Sequence, residues 1–232
     1  MNIPTLSSRL LACCAYVRPG ARIADIGCDH GYLSIYLLLQ GIADSIIAAD
    51  VNQMPLDSAK RNAKLYGISD KISFYLSDGV QSIPRDFDTM VCAGMGADTM
   101  ISILDAAPWL QDTQYTLILQ CQSKRPELRK YLYDHGFSIL RETLAQDGKF
   151  IYPVMEVTYA PSVSLTPGGY HISPALIESG SPLLPAFYQR VVEGLQTTVN
   201  GLARTGGDKY EYYNAVLREL LELEDSIYGN GC

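Results

Sequence analysis

From residue 22 onward, short runs of Ile, Val, Leu and Ala alternate with stretches whose apolar positions recur at helical spacing, the pattern of a parallel sheet covered by helices. It predicts strands at 22–27, 45–50, 72–76, 89–93 and 115–120, and helices at 32–40, 55–66, 98–107 and 125–135. Pro55 and Pro126 suit first helical turns, and Gly41, Gly67 and Gly136 suit helix ends. FSILRETLAQDGKFIYPVMEVTYA then reads as two strands joined through Asp147-Gly148, a pair suited to the positive φ of a tight hairpin. The predicted class is α/β: a Rossmann-like doubly wound sheet that closes with an antiparallel hairpin, where nicotinamide-binding sheets usually continue with parallel strands.

Beyond Ala160 the pattern changes. Pro161, Pro167, Gly168, Gly169, Pro174, Pro182 and Pro185 punctuate a linker, and helices follow at 185–204 and 209–227, joined at Gly206-Gly207. Phe187, Val191, Leu195, Val199 and Leu202 form one apolar stripe, and Tyr213, Val216, Leu220, Leu223 and Ile227 form another. Such stripes predict an antiparallel, coiled-coil-like helical hairpin. The expected domains are therefore 1–160, the sheet, and 161–232, linker and helical hairpin.

Composition narrows the class: 47% hydrophobic and 19% charged residues in a chain of 232 indicate one well-cored domain with an appendage. The longest apolar run, 32–39, is far short of the ~20 residues that cross a bilayer, so a cytoplasmic protein is expected. The cysteines at 13, 14, 28, 92, 121 and 232 contain no C-x-x-C pair and read as reduced thiols, and no metal-ligand spacing occurs. A net charge of -7 opposes general affinity for nucleic acid. Basic residues nonetheless cluster at Arg18 with Arg22, at Lys60-Arg61 with Lys64, and at Lys124-Arg125 with Arg129-Lys130, which leaves room for a local basic face. The last cluster is expected to meet phosphates.

Chemistry concentrates at the predicted strand ends. In IADIGCDHGYLSIYL, Gly27 and Gly31 let the backbone approach a ligand where a helix begins, but Asp29 stands where the dinucleotide fingerprint has its second glycine. An anion there repels a pyrophosphate and favours the sulfonium and amino groups of S-adenosylmethionine. Asp50 ends the second strand at the distance expected for an acid that binds ribose hydroxyls, and Asp78-Gly79 follows the third. Taken singly each is an ordinary turn; three acids along the carboxyl edge of one sheet mark a ligand site. Cys92-Ala93-Gly94-Met95-Gly96-Ala97 adds a backbone-rich wall after the fourth strand.

DIGCDHGYLSIYL, AADVNQMPLDSAKRN, LSDGV, CAGMGADTMISIL and LILQCQ, followed by the Arg-rich helix and the closing hairpin, resemble in this order the bacterial tRNA (adenine-22-N1) methyltransferase family. The resemblance covers residues 5–160, and the helical hairpin resembles that family's C-terminal domain. It implies S-adenosylmethionine as cofactor, tRNA as partner, no metal, and methyl transfer to N1 of adenine 22. It further implies cofactor contacts at Asp25, Gly27, Asp29, His30, Gly31, Asp50, Val51, Asp78, Gly79, Ala93 and Gly94, with Asp29, Gly94, Met95 and Gly96 at the methyl-transfer end. Cys28, Ala97 and Gln120-Cys121-Gln122 depart from the family's usual Thr, Gly and Gln-Pro-Asn. Two other readings share these motifs: a methyltransferase acting on another RNA or a small molecule, and a noncatalytic nucleotide- or RNA-binding module.

Overall fold

The computed structural model describes residues 3–161 and 163–228, so Cys232 lies outside the described residues. Chain order runs α1 (Ser8–Cys14), β1 (Ala21–Ile26), α2 (Tyr32–Leu39), β2 (Ala43–Asp50), α3 (Gln53–Leu65), β3 (Ile72–Leu76), β4 (Thr89–Met95), α4 (Ala97–Asp105), β5 (Thr116–Cys121) and α5 (Arg125–Asp134). The hairpin strands β6 (Phe137–Asp147) and β7 (Phe150–Tyr159) come next, then α6 (Pro174–Glu178), α7 (Leu184–Leu202), α8 (Asp208–Glu222) and α9 (Glu224–Tyr228). One seven-stranded sheet has the order β3-β2-β1-β4-β5-β7-β6. β1 to β5 are parallel; β7 runs antiparallel to both β5 and β6. The order reverses between β1 and β4, and an open α/β sheet leaves a crevice beyond the strand ends at such a switch point.

Two apolar clusters sandwich the sheet, one built on Met90, Leu117, Leu119 and Met155, the other on Ile23, Ile46, Val91 and Ile118. Adjacent residues of one strand thus serve opposite layers, as the period of two requires. The second cluster also takes in Leu6, Cys13, Cys14 and Val17 of the α1 region, an element the alternation pattern did not announce. A third cluster joins Phe187, Leu195 and Val199 of α7 to Val216, Leu217 and Leu220 of α8, together with Leu144 and Ile151 of the hairpin. α7 and α8 lie antiparallel, since the Tyr188 hydroxyl near the start of one donates to the Leu220 carbonyl near the end of the other at 2.9 Å. The helix expected at 209–227 is interrupted at Leu223. No helix among the described residues is long and apolar enough to cross a membrane. The five described cysteines are buried and free, and burial raises each thiol, Cys14 and Cys92 to about 12.

Structure removes Arg129 from the expected phosphate-binding cluster on α5. Arg129 is fully buried: its guanidinium pairs with the buried Glu142 carboxylate and donates to the Tyr170 carbonyl at 2.9 Å, while the Ser173 hydroxyl donates to the other Glu142 oxygen. Lys124 is paired with Asp98 at 2.6 Å and Lys130 with Asp134 at 2.5 Å. Arg129 is thus spent on internal pairing and clips the 170–173 segment to the sheet, the two lysines sit in exposed surface pairs, and Arg125 forms no ion pair among the described residues.

Candidate active site at the carboxyl edge of the sheet

A cleft of about 300 Å³ opens at the switch point, between the turn that follows β1 and the end of β4. The turn is forced by its residues. Gly27 N and Cys28 N both donate to the Ala49 carbonyl, at 2.8 and 3.0 Å, which folds the chain back over β2. Gly27 has φ +74°, and a Cβ there would fall 2.2 Å from the Met95 methyl. Gly31, at φ +72°, caps α2, and a Cβ there would fall 2.9 Å from that of Ala59. L side chains are disfavoured at such angles, which makes Asp29, at φ 49°, a strained exception.

Of the residues singled out in sequence, Asp25, Gly27, Asp29, His30, Ala93, Gly94 and Met95 line this cleft. Asp25 is buried and accepts from the Ser34 hydroxyl at 2.6 Å. Burial pushes its carboxyl up to about 6; the Ser34 hydrogen bond works against this and the neighbouring Asp50 adds to it. Asp29 and His30 are exposed, with Asp29 Oδ1 3.7 Å from His30 Nε2. Asp50 is buried behind the turn, where Oδ2 accepts from Asp29 N at 3.2 Å and Oδ1 from Asn52 N at 2.9 Å. Each oxygen keeps a second lone pair free to accept from a ligand hydroxyl. Val51 is exposed beside it, Asp78 is exposed after β3, and Gly79 is buried against Ile103. Those residues, with Gly31, do not line the cleft. Gly96 opens instead onto a second cavity.

Arg9 is a cleft residue that the motifs missed. It reaches across from α1, with Nε 3.3 Å from Asp147 Oδ2 and Nη1 donating to Gln120 Oε1 at 3.2 Å. Gln120 is fully buried at the end of β5, and the same Oε1 accepts from Gly94 N at 3.0 Å. Gln120 therefore fixes the wall beside Met95, while its own Nε2 is buried without a partner. The departures found in sequence lie here: Gln122 N donates to the Met95 carbonyl at 2.8 Å, and Ala97 N to the Ser123 carbonyl at 3.2 Å. An apolar stripe at Leu6, Leu10, Cys13 and Val17 was the available signal for α1, and Arg9 sits within it. Among the described residues, no group of three or more His, Cys, Asp or Glu is placed to hold a metal ion.

Comparison with known proteins gives this geometry its context. Over 151 residues the chain is 35% identical to the tRNA (adenine(22)-N(1))-methyltransferase of Bacillus subtilis, across 64% of this chain and 63% of that protein. In sequence, then, the chain spans less than two thirds of this relative's length. The crystal structure of the B. subtilis m1A22 tRNA methyltransferase TrmK matches with a TM-score of 0.79 and 26% identity, covering 96% of this chain and 97% of that one. A Streptococcus pneumoniae protein crystallised with S-adenosyl-L-methionine matches with a TM-score of 0.79 and 26% identity, over 94% and 99% of the two chains. Residues 6–155, from the N-terminal helix through the cleft and into β7, match the family described as methyltransferase domain, and the chain belongs to that family.

Proposed function

We propose that this chain transfers the methyl group of S-adenosylmethionine to N1 of adenine 22 in tRNA. The observation that carries the reading is the cleft itself: Asp25 at the end of β1 and Asp29 on a positive-φ turn line it at the switch point, Gly94 and Met95 close it, and Asp50 at the end of β2 holds the turn from behind. These residues fit the cofactor. Asp50 would accept from the ribose hydroxyls, Asp78 from the amino group of the cofactor's own adenine, and Asp25 would face its cationic groups. Gly27 admits the cofactor against bare backbone. The guanidinium of Arg9, at the cleft wall, would meet its carboxylate. When bound, S-adenosylmethionine supplies an electrophilic methyl on a positively charged sulfur.

The chain's own residues have an alignment task. Adenine N1 carries a lone pair and no proton, so no residue needs to act as base. Alignment and exclusion of water, worth up to ~7–11 kcal/mol in well-oriented systems, then carry the rate. Gly94 to Gly96 would form the wall against which the base slides, held flat by the Gln120 hydrogen bond to Gly94 N. Asp29, exposed at the mouth, would accept from the adenine amino group. N1 lies on the pairing edge, so the base must leave its stack to enter. Residues 1–160 carry the transfer, and 161–232 help dock the folded RNA. Incubating the protein with unmodified tRNA and methyl-labelled cofactor, then resolving nucleosides by mass spectrometry, should yield labelled 1-methyladenosine. Label in another nucleoside, or in none, overturns the reading.

A further inference from the structure

A second cavity, of about 520 Å³, lies between the tip of the β6–β7 hairpin and α7 and begins at Gly96, the residue after the cleft wall. That volume falls in the ~300–1,000 Å³ range of small-ligand sites. Its lining holds two guanidiniums, Arg125 and Arg190, and three aromatic rings, Phe150, Tyr152 and Phe187. Arg125 packs 5.1 Å from the Phe187 ring centroid and donates to the Ile151 carbonyl at 3.4 Å, and Arg190 donates to the Lys149 carbonyl at 2.6 Å. Neither forms an ion pair among the described residues. Of the carboxylates on neighbouring elements, Asp147 is engaged with Arg9 and Glu142 with Arg129, and Glu193, one turn along α7, accepts from Gln189. Phe150 stands 52% exposed on the rim, with the Lys149 ammonium 5.3 Å from its ring centroid. In an acidic chain, two planar forks without ion-pair partners among the described residues, beside a half-exposed aromatic ring, form a site for a phosphate joined to a flat base.

We propose that this cavity holds the nucleotide next to the target adenine, its phosphate on Arg190 and Arg125 and its base against Phe150. The proposal rests on the RNA substrate argued above and adds the place where the strand is gripped. It also gives the C-terminal helices a role: α7 brings Arg190 to a strand end that the sheet alone leaves open.

Phe150→Ala and Arg190→Ala both alter exposed side chains, so the fold should survive. Full-length variants would be titrated with unmodified tRNA across a salt series, with S-adenosylhomocysteine affinity as control. Arg190→Ala should weaken tRNA binding and lower the salt slope by about one contact, and Arg190→Lys should restore the slope. Phe150→Ala should weaken binding roughly 5- to 100-fold with the slope unchanged. Wild-type tRNA affinity in both alanine variants overturns the subsite while leaving the proposed methylation standing. A wild-type protein that does not bind tRNA overturns both. Tighter binding of free adenosine monophosphate than of tRNA, lost in Arg190→Ala, marks a mononucleotide site and overturns the RNA assignment.

Discussion

Replacing Arg129 with Met should be among the most damaging single changes in this protein, for a reason that has nothing to do with RNA. The guanidinium is 0% exposed and shares a closed network with Glu142, Ser173 and the Tyr170 carbonyl. Removing it leaves a buried carboxylate with only the Ser173 hydroxyl, at a cost of roughly 3–5 kcal/mol. Glu142→Leu strands the opposite charge, whose Nε is already without a partner, at a similar cost. The double variant buries no charge; it removes the acceptor of the Ser173 hydroxyl, whose oxygen still accepts from Leu176 N, and the donor to the Tyr170 carbonyl, worth about 1 kcal/mol each at the low end. Near 2 kcal/mol is therefore expected for the pair, against ~6–10 for the sum of the singles. Total stabilities of ~5–15 kcal/mol leave either single variant close to unfolding. Urea denaturation at constant m-value measures all three. Single variants within 1 kcal/mol of wild type, or additive effects, would refute the reasoning and reopen Arg129 as an RNA contact. The same network makes truncation after residue 160 a poor test of the C-terminal region, because it would uncap Arg129 and uncover Leu144 and Ile151.

Asp50→Ala should weaken S-adenosylhomocysteine binding by tenfold or more in calorimetry, since a charge-assisted hydrogen bond contributes ~1.5–3 kcal/mol; unchanged affinity would move the ribose elsewhere. Asp25 titrates near 6 in the folded chain against an ordinary 3.8, so the folded state binds the extra proton between those values. The stability this gives is complete below about pH 4 and lost as pH rises through about 6. Asp25→Asn should thus stabilise the ligand-free protein by up to about 3 kcal/mol near pH 8 and by little near pH 4, and an equal effect at both pH values in denaturation would contradict the burial argument. Gly27→Ala should cost only ~1–2 kcal/mol in stability yet displace the Met95 methyl from the cleft, so kcat should fall far more than the melting temperature; a proportionate loss of both would argue for simple misfolding.

Legibility in sequence followed the range of the interactions. The parallel strands were read from Ile, Val and Leu runs because both faces of an inner strand are buried, and the hairpin was read because Gly148, at φ +57°, sits at its turn. Acids at strand ends were equally plain, since β topology sets them along one edge of the sheet, although of these only Asp25 lines the cleft itself. Residues whose partners lie far along the chain were not legible. Arg129 looks like its neighbours Lys124 and Lys130 until Glu142 and Tyr170 are brought against it, 13 and 41 residues away. Arg9 joins the cleft only through Gln120, 111 residues on. The cavity at Arg125 and Arg190 exists only because α7 packs onto the hairpin, a contact that no local pattern encodes.

The central claim is tested most directly by where the methyl group lands. A tRNA transcript carrying adenine at position 22 and a matched transcript with guanine there would each be incubated with the protein and labelled S-adenosylmethionine, then digested and mapped by mass spectrometry. The account predicts one methyl group, on N1 of adenine 22, in the first transcript and none in the second. Equal labelling of both transcripts, or a methyl group at any other nucleotide, would contradict it.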